Sequence, residues 1–132
     1  MKTIRTVCLA VASLFVACLG PDIMPGTTVT PTCTVTASTT FQTGSPVTGS
    51  GSVSCDASGQ ISLKACLFMK NPSDTDWGAA VMCGTRDTSA SSANTSVQVG
   101  VGFSTKQYRT VVEASINGTA LTTQTSSPVT AP

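Results

Sequence analysis

The sequence predicts an all-β fold, an antiparallel two-sheet sandwich of the immunoglobulin-like kind with six to seven short strands. Apolar residues recur at every second position in several segments, which is the period of a half-buried strand. Thr and Val, which favour pleated sheet, dominate these segments, and no segment has a sustained helical period. Four cysteines beyond the first twenty residues offer disulfides to staple the strands.

Each expected strand can be placed by its alternation. The inward sets are Val29, Cys33, Val35 and Ala37; Val47, Val53 and Cys55; Ile61, Leu63, Ala65, Leu67 and Met69; Val97, Val99, Val101 and Phe103; and Tyr108, Thr110, Val112, Ala114 and Ile116. A last strand is expected near "ALTTQTSSPVT". Gly49 and Gly51, on the inward face of the second strand, indicate a close approach of the backbone or a bulge. Phe103 should be buried.

Turn chemistry separates the expected strands. "DASG" at Asp56, "NPSD" at Asn71 and "NGT" at Asn117 combine residues that favour turns, and Asn-Gly is a strong hairpin signal. The stretch "TRDTSASSANTS", Thr85 to Ser96, has the composition of a flexible exposed loop. We therefore expect chain reversals at the first three sites and a long loop at the fourth.

The first residues carry an export signal. Lys2 and Arg5 precede an apolar run that is too short for a comfortable membrane span. "FVAC" is similar to a bacterial lipobox, with Phe15 where that motif prefers Leu, so Cys18 is a candidate for lipidation and simple secretion is the alternative. We predict an export signal over 1–18, a linker over 19–28, one domain over 29–132 and an extracytoplasmic location.

The charge balance excludes some partners. Without Lys2 and Arg5, five basic side chains stand against six acidic ones, and no basic cluster occurs. The sequence therefore has no electrostatic footprint for nucleic acid. A membrane is expected as a partner only through a lipid on Cys18.

No catalytic constellation can be found. The chain has no histidine, and Glu113 beside Arg109 is best interpreted as a solvated surface pair. Asp74 and Asp76 in "NPSDTDWG" supply oxygens that Ca²⁺ prefers, but the loop lacks a terminal Glu and regular ligand spacing. We expect a non-enzymatic protein with no catalytic residues, no cofactor and no metal.

Aromatic side chains are the candidates for ligand contact. Phe68 points outward by strand parity, and Trp77 lies in the expected turn after it. An aromatic platform on a β-face binds sugars by stacking. The competing interpretation is that Trp77 plugs one end of the sandwich while Tyr108 joins the core.

The antibody signature fails, but another resemblance exists. Trp77 follows a loop instead of lying on a strand, and no Cys follows Tyr108 by two residues. The segments "FQTGSPVTGSGSVSC", Trp77 and "TSVQVGVGFSTKQYRTVVEASINGTALTTQTSSPVT" resemble small exported Ser/Thr-rich β-sandwich proteins of actinobacteria and some other Gram-positive bacteria. That group has no assigned activity, so the resemblance implies compartment and fold.

The resemblance also bears on the disulfides. The group commonly carries a second Cys just before the "YRT" strand, where this chain has Phe103, so Cys33 is the available partner for Cys55. Four cysteines allow three connectivities, of which face parity favours Cys33–Cys55 with Cys66–Cys83. A metal site is the alternative, but the spacings lack the close pairs of a zinc knuckle.

Two functions from different classes follow. The first is an exported, non-enzymatic immunoglobulin-like module that binds, adheres or supports at the cell surface or after secretion, with a surface polysaccharide or a protein as its partner. The second is a small secreted inhibitor or effector, for which Thr85 to Ser96 would be the inhibitory loop.

Overall fold

The structure is a computed structural model, and it describes residues 29–132. The predicted export signal over 1–18, the candidate lipidation site Cys18 and the linker over 19–28 lie outside the described residues. Within residues 29–132 no helix is long and apolar enough to cross a lipid bilayer.

Seven antiparallel strands make up the described fold. They are β1 (Cys33–Thr40), β2 (Val47–Lys70), β3 (Ala80–Val99), β4 (Lys106–Ile116), β5 (Thr119–Ala120), β6 (Gln124–Thr125) and β7 (Val129–Ala131). The all-β class, the antiparallel pairing and the disulfides are thus confirmed. The described strands belong to one connected hydrogen-bonded sheet, whereas the sequence predicted two separate sheets.

The long strand β2 organises this sheet. Its first half pairs with β1 on one side and with the end of β3 on the other. Its second half pairs with the start of β3 and with β4. Strand β2 therefore runs through two three-stranded regions, and β3 runs beside it through both. We call the region of β1, β2 and β3 the upper layer and the region of β3, β2 and β4 the lower layer.

The turn expected at Asp56 is wrong. Residues 55–58 are an irregularity inside β2, because the register with β3 shifts between Ser54 and Gly59 while only Ser91 intervenes on the partner strand. Extra residues on one strand of a pair bend it and strengthen its twist. The turn-forming residues thus bend a continuous strand instead of ending it.

The bend brings the upper layer face to face with the lower layer. A Cβ on Gly51 would lie 2.7 Å from Val112 Cγ2 and 3.2 Å from Ala65 Cβ, and one on Gly49 would lie 2.5 Å from Thr110 Oγ1. Such distances leave no room for a side chain. The close approach expected of Gly49 and Gly51 is therefore present. It brings the first half of β2 against the second half and β4 across the core.

The loop expected over Thr85 to Ser96 is also wrong. These residues lie within β3, which pairs with β2 along nearly its whole length and bends with it. A Cβ on Gly84 would meet Val97 Cγ1 at 2.9 Å, so the two halves of β3 face each other as well. The ladder with β2 overrides the weak local signal of the Ser- and Ala-rich stretch.

The remaining strands complete the lower layer. Asn117 and Gly118, with φ of 52° and 82°, form the two-residue reversal between β4 and β5 that the Asn-Gly pair predicts. Strands β5, β6 and β7 all pair with the edge of β4 that faces away from β2. The loop after β2 has the expected turn, with the Asp74 backbone N–H donating to the Asn71 carbonyl at 3.0 Å.

The two disulfides have the connectivity that face parity favours. Cys33 is bonded to Cys55 and Cys66 to Cys83. Each bond joins residues directly opposite each other on neighbouring strands. Both disulfides therefore fasten strands that the ladder already pairs, and they are consistent with an oxidising, extracytoplasmic location.

Two apolar clusters fill the space between the layers. We call the end of the fold at residues 55–58 and 117–118 the bend end. One cluster lies toward it and includes Ile61 and Ile116. The other lies toward the loops over 41–46, 71–79 and 100–105, which we call the open end, and includes Val47 and Tyr108. Tyr108 is 1% exposed, which confirms its place in the core.

The predicted burial of Phe103 is wrong. Strand β3 ends at Val99, so the alternation that would turn Phe103 inward stops four residues before it. Phe103 lies in the loop at the open end and is fully exposed. Cys33 and Cys55 nevertheless pack against the core as their parity predicts, because their strands are continuous.

Replacing Gly51 by Ala should lower the free energy of unfolding by about 1 to 3 kcal/mol, because the new methyl group overpacks the contact with Val112. Urea denaturation measures the change. Gly100→Ala is the control, since nothing lies within 4 Å of a Cβ there. Equal stability of Gly51→Ala and the wild type would contradict the close approach of the layers.

Burial raises the pKa of the Tyr108 phenol above its ordinary value of 10.0. The folded protein therefore holds this proton more tightly than the unfolded chain, so stability should be intact below pH 10 and fall as pH rises through the raised pKa. Tyr108 is the only tyrosine, so phenolate absorbance reports its titration directly. Titration at the ordinary pKa, or an equal alkaline loss in Tyr108→Phe, would contradict its burial.

Candidate functional site

The outer face of the lower layer carries the candidate site. Every second residue of β2 from Ser62 to Lys70 points away from the core, and its neighbours on β3 and β4 share that face. At about 3.3 Å per residue, this strip is about 26 Å long. We call it the outer strip. Its rows across the three strands are Asp87, Ser62 and Ser115; Thr85, Lys64 and Glu113; Cys83, Cys66 and Val111; Ala80, Phe68 and Arg109; and Lys70 with Gln107.

A groove with both polar and apolar lining occupies the end of the strip nearer the bend. Its volume is about 380 Å³, and its lining includes Lys64, Thr85, Asp87 and Glu113. Ser62 Oγ donates to Asp87 Oδ1 at 2.7 Å, which fixes the carboxylate on this face. Lys64 lies between the two acids, directly opposite Glu113 on β4. The groove thus offers hydroxyl, carboxylate and ammonium groups to a ligand rich in hydroxyls.

An aromatic and cationic cluster occupies the other end, at the open end of the fold. The guanidinium carbon of Arg109 lies 4.5 Å from the centre of the Trp77 ring, and Lys70 Nζ lies 5.3 Å from it. Phe68 is directly opposite Arg109 on the neighbouring strand. We call Phe68, Lys70, Trp77 and Arg109 the Trp77 cluster. A contact between a cation and the face of an aromatic ring stabilises by about 0.5 to 1 kcal/mol at an exposed site.

The loop over 71–79 is held so that Trp77 lies over the sheet. Asp74 Oδ2 accepts from the Asn71 side chain at 2.9 Å, and Lys70 Nζ donates to the Asp74 carbonyl at 2.6 Å. Lys106 Nζ donates to Asn71 Oδ1 at 2.5 Å. Trp77 is therefore half-buried on the outer strip, not inserted between the layers as an end plug.

The cations of the cluster contact neutral groups instead of carboxylates. Arg109 and Lys70 both lie over the Trp77 ring, and Lys70 Nζ also donates to a backbone carbonyl, that of Asp74. Arg109 Nε is buried without a hydrogen-bond acceptor. Arg109 and Glu113, expected as a surface pair, stand four residues or about 13 Å apart along β4. The ladder places Lys64 directly opposite Glu113, and Arg109 stacks on Trp77.

The outer face of the upper layer differs in composition. Its residues are Thr34, Thr36, Ser38 and Thr40 on β1; Thr48, Ser50, Ser52 and Ser54 on β2; and Ser92, Asn94, Ser96 and Gln98 on β3. None of these twelve side chains carries a charge or an aromatic ring. Charged and aromatic groups are thus concentrated on the lower layer and at the open end.

The sequence identified part of this arrangement. Phe68 and Trp77, the two predicted ligand contacts, lie on the same face, as outward parity indicated for Phe68. Arg109 and Lys70 were outward by the same rule, but their stacking on Trp77 could not be read from spacing. Asp87 and Thr85 were missed because the strand that carries them had been interpreted as a loop.

Hydroxyl, carboxylate, cationic and aromatic side chains make up the strip. Within residues 29–132 no group of three or more His, Cys, Asp or Glu side chains is placed to hold a metal ion. All four described cysteines are in disulfides, so the strip presents neither a thiol nor a histidine as nucleophile or base. Hydrogen bonding, stacking and charge are what it offers to a ligand.

Comparisons of the chain with protein-family models, with curated proteins and with solved structures give no match.

Arg109→Ala should make Trp77 more accessible, because the guanidinium that covers its ring is removed. Trp77 is the only tryptophan, so acrylamide quenching of its fluorescence measures the change without interference. Arg86→Ala, which removes the same charge from an exposed site on β3, should leave quenching unchanged. Equal quenching in the wild type and Arg109→Ala would show that the two side chains do not stack.

Proposed function

We propose that the protein is an exported, non-enzymatic module, immunoglobulin-like in its layering, that binds a polysaccharide of a cell surface along the outer strip. The observation that supports this most is the placement of the groove and the Trp77 cluster on one face of the same three strands. A ligand of several sugar units, extended over about 26 Å, would contact both ends at once.

The two ends suit different features of a sugar polymer. Hydroxyl and carboxylate groups in the groove hydrogen-bond to sugar hydroxyls, whereas Phe68 and the Trp77 cluster offer aromatic and guanidinium surfaces against which a ring can pack. The Cys66–Cys83 disulfide lies between them and ties β2 to β3. The disulfide therefore fixes the register of β3 against β2 between the two ends, while the extended backbone of β2 sets their spacing.

Chain direction supports a role at a surface. β1 begins at Cys33, opposite Cys55 at the bend end, while the Trp77 cluster lies at the open end. A lipid on Cys18 would tether the domain to a membrane surface, and a simply secreted protein would carry the same binding face. In both cases the open end is remote from the point where the chain enters the domain.

The second function, a secreted inhibitor or effector, has less support. Its proposed inhibitory loop, Thr85 to Ser96, lies in β3 and is paired with β2. A strand in a ladder cannot enter a protease cleft in the way an exposed loop does. Binding along the outer strip needs no such loop.

Binding should be measured with the full chain, exported and purified from an oxidising compartment, on a panel of insoluble and soluble cell-surface polysaccharides. Trp77→Ala and Asp87→Ala should each weaken binding about tenfold, or about 1.4 kcal/mol, because each removes one end of the contact. Affinity electrophoresis and pull-down measure the change.

Ser50→Ala on the upper layer is the matched control, since it removes a polar group from the opposite outer face. It should bind as the wild type does. The proposal is wrong if no polysaccharide is bound, or if Ser50→Ala weakens binding while Trp77→Ala and Asp87→Ala do not.

A further inference from the structure

The open end of the outer strip has positive charge that the chain does not neutralise. Arg109 and Lys70 contact the Trp77 ring, and Lys70 and Lys106 also donate to neutral oxygens. The adjacent loop carries two carboxylates, Asp74 and Asp76, against the three cations, so these five groups together keep one excess positive charge.

The Arg109 guanidinium is the least satisfied of these groups. It has five N–H donors, its face is stacked on Trp77, and its buried Nε finds no acceptor. A buried donor without an acceptor is uncommon in folded proteins and calls for a physical reason. Stacking holds the guanidinium in place and leaves its terminal nitrogens, in their planar fork, as the groups that can bind an acceptor.

We infer that the polysaccharide bound by the outer strip carries carboxylates, and that Arg109 and Lys70 hold one of them at the open end. This inference rests on the proposed function and adds the ligand class. A carboxylate matches the fork of a guanidinium bidentately, and the nearby ammonium of Lys70 adds a second charge. The groove, where Lys64 lies opposite Glu113 and near Asp87, has no such excess of positive charge and takes neutral hydroxyls.

The direct test compares polymers that differ only in charge. Polygalacturonate should bind about tenfold or more tightly than the same polymer with its carboxylates fully methyl-esterified, because esterification removes the charge-assisted hydrogen bonds. Alginate and hyaluronate serve as further uronate polymers, and neutral glucans serve as polymers without carboxylates. Added salt should weaken binding of the uronate polymers and leave binding of the ester unchanged.

Variants that remove one positive charge show which residues cause the preference for the acid over the ester. Arg109→Gln should abolish the preference for the acid over the ester, and Lys70→Gln should reduce it. Arg86→Gln removes the same charge from an exposed site elsewhere on the lower layer and should keep the preference. Urea denaturation shows whether each variant remains folded, since quenching of Trp77 changes when the Arg109 side chain that covers its ring is altered.

The outcomes separate this inference from the proposed function. Equal binding of acid and ester, or a preference that survives in folded Arg109→Gln, overturns the inference and leaves the polysaccharide module intact. Binding of neutral glucans with no binding of the three uronate polymers also overturns the inference and leaves the polysaccharide module intact. Absence of binding to every polymer overturns both.

Discussion

The fold depends on how closely the two halves of β2 approach each other across the core. Gly49 and Gly51 on the upper layer lie against Leu67, Thr110 and Val112 on the lower layer, at distances that exclude a side chain on either glycine. The layers meet there through backbone on one side and β-branched methyl groups on the other. Thr39 Oγ1 and Thr110 Oγ1, 2.6 Å apart, join the layers by a buried hydrogen bond beside this contact. Packing therefore fixes the angle through which β2 bends at residues 55–58.

Neither disulfide holds the layers together. Cys33–Cys55 joins β1 to β2, and Cys66–Cys83 joins β2 to β3, so each reinforces a pair of adjacent strands. The disulfides restrict the unfolded chain, which stabilises the native state by about 2 to 4 kcal/mol each. Contact between the layers is left to the glycines, the apolar clusters and the hydrogen bond of Thr39. This division explains how so polar a chain can hold two layers with a thin core.

Most of what could be predicted about the fold came from the alternation of apolar and polar residues along the strands. It placed the inward residues of β1, β2 and β4, such as Ile61 and Val112, because apolar side chains mark every second position there. It failed over Thr85 to Ser96, because the residues that the ladder places on the inward side there give no run of large apolar side chains: Arg86, Thr88, Ala90, Ala93 and Thr95. It failed again at Phe103, because periodicity does not show where a strand ends. The site was found in part: outward parity identified Phe68, but the stacking of Arg109 on Trp77 depends on the path of the loop over 71–79.

The folded-over arrangement links the core to the proposed binding face. Bending β2 assigns Ser62, Lys64, Phe68 and Lys70 to one outer surface and brings Arg109 beside them on β4. Nuclear Overhauser contacts between the two layers test this arrangement most directly. We expect strong contacts from the Gly51 α-protons to the Val112 methyl groups and the Ala65 methyl group. Contacts from Gly51 only to Ala37 and Thr95, its neighbours in the ladder, would show that β2 does not fold back on itself and would contradict the account.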